Sequence, residues 1–117
     1  MTNVDAASDN GELGPVATRV IYEDDEVRIW DQVIGPHETL APHRHDHDYF
    51  LVDVKGDGGV LQVEYMPGNA RTEREPHPYT VARGNHHFIE KGAVERAINT
   101  SDKSVRLILV ELLKDNR

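Results

Sequence analysis

The chain contains no cysteine among its 117 residues, so disulfide bonds, thiolate metal sites and cysteine nucleophiles are all excluded. Positive charge is also scarce, because 13 Lys and Arg residues stand against 21 Asp and Glu residues and leave a formal net charge of −8. Binding to nucleic acid or to an anionic membrane needs a basic surface that this composition does not supply. We therefore expect neither nucleic acid nor a membrane as a partner.

Long hydrophobic runs are absent as well. No segment approaches the roughly 20 apolar residues of a membrane-spanning helix, and the N-terminus has neither the basic start nor the apolar centre of a secretory signal. We therefore expect a soluble, cytoplasmic protein. Residues 1–17 are mostly small, acidic or turn-forming, which predicts a mobile N-terminal tail followed by one domain at residues 18–114.

The sequence also lacks any long stretch with helical periodicity. From Thr18 onward the apolar residues come in short runs rich in Val, Ile, Tyr and Trp, separated by Gly, Pro or acidic clusters. The last run is also compatible with a short helix, but its β-branched start favours a strand. The predicted strands lie at 18–22, 27–33, 47–54, 60–65, 79–82, 86–89, 94–99 and 104–113.

The connections between these runs favour antiparallel pairing. Segments 23–26 and 99–102 are rich in Asp, Asn and Ser, and 55–59 supplies the glycines that tight turns require. Segment 66–78 contains three prolines and is predicted to be a surface loop. Short strands with spaced turns predict an all-β sandwich or barrel, since only sheet packed on sheet can bury their alternating faces.

The segment APHRHDHDYFLVDVKGD, at 41–57, concentrates polar side chains with metal-binding potential. His43, His45 and His47 alternate along the chain, and Tyr49 has the same parity, so a regular strand would place all four on one face. Imidazoles on one strand face suit a divalent metal. The same spacing also fits a strand with a polar edge, and both interpretations stay open at this point.

Two longer stretches resemble the two sequence motifs of the cupin family. They are GPHETLAPHRHDHDYFLVDVKG at 35–56 and GNHHFIEKGAVERAIN at 84–99. The resemblance extends over about residues 18–113, is greatest to small single-domain cupins, and implies an antiparallel double-stranded β-helix, or jelly-roll barrel, with a site inside it. The matching positions are Gly35, His43, His45 and Gly56 in the first motif and Gly84, Gly92 and Asn99 in the second.

Two ligand positions depart from the cupin pattern. Tyr49 stands where the first motif has glutamate, and Glu95 stands where the second has histidine. Cupins typically hold a divalent metal with three imidazoles and one carboxylate, so the resemblance implies a site of His43, His45 and Glu95. This set suits Fe(II), with Mn, Ni or Zn as alternatives. Tyr49 would be a weak ligand or proton donor in the same cavity, and Glu95 would also be available for proton transfer.

Two further residues are candidates for substrate binding. Arg28 would bind a substrate carboxylate if its side chain points into the barrel. His87 shares its parity with Ile89, so it is a better candidate than His86 for lining the cavity. The histidines interpreted as rim or surface residues are His37, His47 and His77.

Three functions remain open from the sequence. The first is a metal-dependent oxygenase, isomerase or lyase acting on a small organic acid. The second is a metal-free cupin that binds a small ligand as a sensor or accessory protein, in which Glu95 would be a solvated residue paired with Arg83 or Arg96. The third is a role in assembly. The resemblance also implies a homodimer that pairs through the N-terminal strands and the outer sheet.

Overall fold

The computed structural model describes residues 13–114. The described chain forms nine strands, with tight turns or loops between them. Their bounds are β1 Arg19–Glu23, β2 Val27–Ile34, β3 Thr39–Arg44, β4 Tyr49–Lys55, β5 Val60–Tyr65, β6 His77–Thr80, β7 His86–Ile89, β8 Val94–Asn99 and β9 Val105–Leu112. No helix occurs between residues 13 and 114, so that part of the chain contains no helical membrane span.

The strands form two antiparallel sheets that enclose the core. One sheet has the order β1-β2-β9-β4-β7, and the other has the order β3-β8-β5-β6. The ambiguous last run is strand β9, which pairs with β2 on one side and β4 on the other. Buried residues alternate along β9 at every second position, as a strand between core and surface requires. The all-β jelly-roll prediction is confirmed.

Most of the core lies between the two sheets, and part of it comes from the chain before β1. Residues 1–12 of the predicted mobile tail lie outside the described residues. Val16 and Ala17 are buried against Tyr49 and Leu109, and the Gly14 amide donates a hydrogen bond to the Pro42 carbonyl. The ordered chain thus begins before the predicted boundary at residue 18, because these apolar side chains find a site against the barrel.

Strand β3 was not among the eight predicted strands, and the structure also differs from the prediction at the long loop. His43 lies on β3 and Tyr49 begins β4, so they belong to different strands in different sheets. The chain crosses between the sheets at residues 45–48, which composition alone did not indicate. Strand β6 begins at His77, inside the segment that was predicted to be loop, because its backbone pairs with β5.

The motif residues other than the histidines hold the end of the barrel together. The fully buried Asn99 amide donates hydrogen bonds to the carbonyls of Ile34, Gly35 and Lys103. Gly56 has φ of 100°, and a Cβ atom there would lie 2.6 Å from the Ser104 carbonyl oxygen. These positions therefore require their residues for reasons of folding, independently of any chemistry in the barrel.

Candidate functional site

His43, His45 and Glu95 converge inside the barrel. His43 and Glu95 are directly opposite each other in the β3–β8 ladder, so their side chains share a face. The ladder continues past β3, because the His45 amide donates to the Ala93 carbonyl. Glu95 Oε2 lies 3.8 Å from His43 Nε2 and 3.6 Å from His45 Nε2. One ligand atom from each residue lies within 4.8 Å of the other two, so the group could hold one metal ion.

The hydrogen bonds of the imidazoles decide which ring nitrogens face the site. His43 Nδ1 lies 2.8 Å from the Ala41 carbonyl oxygen, which can only accept, so Nδ1 donates and a neutral ring directs its Nε2 lone pair toward Glu95. Within the described part of the chain, His45 Nδ1 is buried without a hydrogen-bond partner. A lone pair facing a carboxylate needs a positive charge between them, so this donor set fits a divalent metal.

Glu95 is held in its ionised form. Burial by itself would raise the pKa of this carboxyl, but the neighbouring His43 and His45 imidazoles outweigh the burial and hold its pKa at about 2. The carboxylate is therefore charged throughout the neutral range, which suits a ligand better than a proton donor. The alternative pairing with Arg96 does not occur, because that guanidinium contacts Glu64 at 2.6 Å.

Tyr49 reaches the same cavity from the opposite sheet. Its side chain is buried, and its ring stacks on the His45 ring with the centroids 4.4 Å apart. Burial raises the pKa of the Tyr49 hydroxyl well above its usual value, and the negative charge of Glu95 raises it further. The hydroxyl therefore stays protonated and can donate a hydrogen bond, but it is not a base.

The cavity around these residues has a volume of about 430 Å³. About half of its lining side chains are aliphatic and come from both sheets, and the rest are polar, a combination typical of a small-molecule site. The polar residues that line it are Gln32, His43, His45, Tyr49, Tyr65, Arg71, Glu73, His77, Tyr79 and Glu95.

Arg28 and His87, the two residues predicted for substrate binding, lie outside this lining. The Arg28 guanidinium pairs with Glu23 at 3.1 Å and with Glu111 at 3.5 Å, so its charge is already balanced at the end of the barrel. His87 lies on the edge strand β7 and is exposed, with its ring edge-on to Tyr79. Alternation along β7 places His87 on the inner face of the sheet, but β7 is an edge strand, so the side chain lies beside the cavity and does not line it. His47 is half-buried and also outside the lining.

The sequence prediction missed the residues that line the cavity from β5, β6 and the loop between them. Arg71 donates two hydrogen bonds to the Glu73 carboxylate and one to the Glu90 carbonyl. His77, predicted to be a surface residue, is exposed but also lines the cavity, and its Nε2 lies 2.9 Å from the Tyr65 hydroxyl. Alternation along β5 could have indicated Tyr65, but nothing local indicated Arg71.

Comparison with known proteins connects this architecture to a fold family. No protein-family model and no curated protein sequence matches the chain. Solved structures do match it. A cupin domain protein of Bordetella pertussis Tohama I superposes with a TM-score of 0.68 and 21% identity, over 80% of this chain and 88% of that one.

Two other structural neighbours are more distant in sequence. A conserved protein of Klebsiella pneumoniae with a double-stranded β-helix domain matches with a TM-score of 0.60 and 15% identity, over 100% of this chain and 92% of that one. The polyketide cyclase RemF of Streptomyces resistomycificus matches with a TM-score of 0.55 and 13% identity, over 80% of this chain and 59% of the cyclase. These likenesses show that the chain has the cupin fold.

Proposed function

We propose that this cupin-fold protein is a metal-dependent enzyme that acts on a small organic acid inside its barrel. The convergence of His43, His45 and Glu95 within 4.8 Å carries the proposal. Two histidines and one carboxylate suit Fe(II) and leave coordination positions open for substrate. The locked His43 tautomer and the ionised Glu95 favour cation binding without rearrangement.

The charge of this site favours an anionic substrate. A divalent ion held by two neutral imidazoles and one carboxylate would polarise a substrate oxygen and leave a net charge of +1. Arg71 adds a guanidinium to the cavity wall, although its pairing with Glu73 cancels its net charge. The aliphatic side chains of the lining lower the local dielectric constant and so strengthen the attraction between the site and a carboxylate.

The protonation states of Tyr49 and Glu95 favour some of the candidate reaction types over others. Tyr49 stays protonated and can donate a hydrogen bond to a substrate oxygen. Glu95 stays ionised, and its pKa of about 2 makes it a very weak base. Neither group is suited to abstract a proton at neutral pH. An oxygenase therefore demands less of these side chains than an isomerase or a lyase does.

A metal-free cupin that binds a small ligand is the second candidate. The observation that favours it is the distance of 3.6 Å between His45 Nε2 and Glu95 Oε2. At this distance a single protonated imidazole would balance the charge of Glu95 without any metal. The cyclase RemF is an enzyme by name, but it is distant in sequence and does not decide between the two candidates.

Titration with Fe(II), Mn(II), Ni(II) and Zn(II) distinguishes the metal-dependent enzyme from the metal-free binding protein. We expect at least one of these ions to bind at pH about 7.5 and to be lost steeply below about 6, since imidazole, with a reference pKa of about 6.5, must be neutral to bind. Glu95, with a pKa of about 2, stays ionised over this pH range, so its protonation does not contribute to the loss. If none of the four ions binds at either pH, the metal-dependent enzyme is ruled out.

We also propose that the protein is a homodimer that pairs through the outer face of the five-stranded sheet. One row of apolar side chains crosses all five strands there, and three of its members are exposed by 41 to 52%. The nearby Asp31 carboxylate pairs with Arg19 and Arg106, so its charge is neutralised on this face. Two copies could therefore meet here although the chain as a whole has a net charge of −8. The row consists of Tyr22, Ile29, Val110, Phe50 and Phe88.

The size of the face suits a second copy of the chain. The five strands lie about 4.8 Å apart and comprise 32 residues at about 3.4 Å each, so they cover about 520 Å², about two thirds of the roughly 800 Å² per partner of a stable interface. Sedimentation equilibrium at micromolar concentration should give twice the 13.2 kDa chain mass. Phe50→Asp should reduce the measured mass to that of one chain. The control is Leu13→Asp, which should keep the doubled mass because Leu13 is exposed and lies outside the sheet. A single-chain mass for the parent protein would rule the dimer out.

A further inference from the structure

Gln32 is a buried amide that points into the cavity. It lies on β2, and its side chain is only 7% exposed and forms part of the cavity wall. Its register partner on β9 is Leu107, and the neighbouring inward residues are largely aliphatic. An apolar residue of similar size would pack equally well at this position, so packing does not explain why the side chain is polar.

The Gln32 amide has no hydrogen-bond partner within residues 13–114. The other buried polar side chains of the same sheet, Asp31, Asp53 and Glu111, all accept hydrogen bonds from side chains. The Gln32 amide atoms are not among the fully buried, unpaired atoms of the described chain, so they keep access to the cavity and can bond to a group that enters it. The free donors and acceptor of Gln32 therefore indicate a partner that enters the cavity.

Gln32 and the His43–His45–Glu95 group belong to opposite ends of the cavity. At one end, the Tyr49 ring stacks on His45 and connects the two sheets. At the other end, the Tyr79 hydroxyl donates a hydrogen bond to Asp53, in the row of the sheet that also contains Gln32. The rows of Tyr49 and Asp53 are four residues apart, which is about 13 Å along a strand.

The wall between these two ends is apolar. On the five-stranded sheet, the row between them contributes Leu109 and Leu51, and on the four-stranded sheet it contributes Val63 and Ala97. A ligand that satisfies both ends must therefore be elongated, with an apolar middle and a hydrogen-bonding group at each end.

We propose that Gln32 determines substrate specificity by binding a hydroxyl, carbonyl or amide group at the far end of an elongated organic acid. The carboxylate of that acid would lie at the end with His43, His45 and Glu95, so this proposal rests on the proposed function. An amide both donates and accepts, so it favours a polar terminus over a methyl group and leaves the charge of the ligand unchanged.

The test compares matched acids on matched variants. Butanoate, hexanoate and octanoate, each with its ω-hydroxy counterpart, are titrated calorimetrically into the parent protein, Gln32→Met and Gln62→Met, each loaded with the divalent ion that the parent binds best. Gln62 lies on β5 next to the inward-facing Leu61 and so serves as a matched control on the outer face. At the length that fits, the parent and Gln62→Met should bind the ω-hydroxy acid about three- to tenfold more tightly than the plain acid. Gln32→Met should lose or invert that preference.

A second measurement is independent of any ligand. Without ligand, Gln32→Met should keep the Tm of the parent or raise it, because no hydrogen bond to another described residue is lost. A lower Tm would mean that the amide already has a structural partner and would overturn the proposal. Equal binding of both acids at every length would overturn the role of Gln32 alone, whereas no binding of any acid would overturn the proposed organic-acid function together with it.

Discussion

Replacing Glu95 with glutamine should weaken divalent-metal binding by about 100-fold or more. The substitution keeps the shape of the side chain but removes the only carboxylate among the three proposed ligands. The site would then consist of two neutral imidazoles and an amide, with no negative charge to balance a divalent ion. His45→Ala should cause a loss of similar size, because one of only two nitrogen ligands is deleted.

A competition titration against a chromophoric chelator measures this effect for the ion that the parent binds best. Glu26→Gln is the matched control, because Glu26 is exposed in the turn between β1 and β2. Circular dichroism establishes that each variant is folded. If Glu95→Gln binds as tightly as the parent while His45→Ala does not, a metal site exists but its third ligand is another residue.

Replacing Asn99 with aspartate should destabilise the protein by about 3 kcal/mol or more. The fully buried Asn99 amide nitrogen lies 2.7 to 3.1 Å from the carbonyl oxygens of Ile34, Gly35 and Lys103. The substitution would replace this donor with an oxygen facing three acceptors, and it would bury a negative charge, to which the Ser101 amide and hydroxyl still donate. Urea unfolding followed by the fluorescence of Trp30, the only tryptophan, measures the loss.

The pH dependence of this loss has a defined sign. Burial among carbonyl oxygens raises the folded-state pKa of the introduced carboxyl above its unfolded value of about 3.9. The destabilisation should therefore grow as pH rises above about 4. Asn85→Asp, at an exposed position in the turn before β7, should stay within about 0.5 kcal/mol of the parent. A similarly small effect at Asn99 would show that its hydrogen bonds do not support the fold.

The strands were predictable to the extent that their signal is local. Alternation along β9 distinguishes strand from helix within eight residues, and the structure confirms it. The break between β3 and β4 was not predictable in this way, because it reflects a crossing from one sheet to the other. His43, His45 and Tyr49 do line one cavity, but from two strands on opposite sheets, and the parity of a single strand is not the reason.

The candidate site was likewise predictable only in part. His43, His45 and Glu95 were identified together through the resemblance to the two cupin motifs, because spacing alone cannot connect residues some 50 positions apart. Arg28 and His87 had suitable chemistry, but ion pairs in one case and an edge position in the other place them outside the cavity lining. Arg71 and Gln32 were not selected, since neither lies in a recognisable motif.

The sequence by itself determined the fold class, because hydrophobic alternation, turn glycines and the two motifs are properties of neighbouring residues. It also determined the donor types at His43, His45 and Glu95. Only the tertiary structure decided that these donors meet, that Arg71 rather than Arg28 borders the cavity, and that Gln32 faces it without a partner among residues 13–114. The physical reason is that ion pairing, burial and cavity shape depend on long-range strand pairing, which no local pattern encodes.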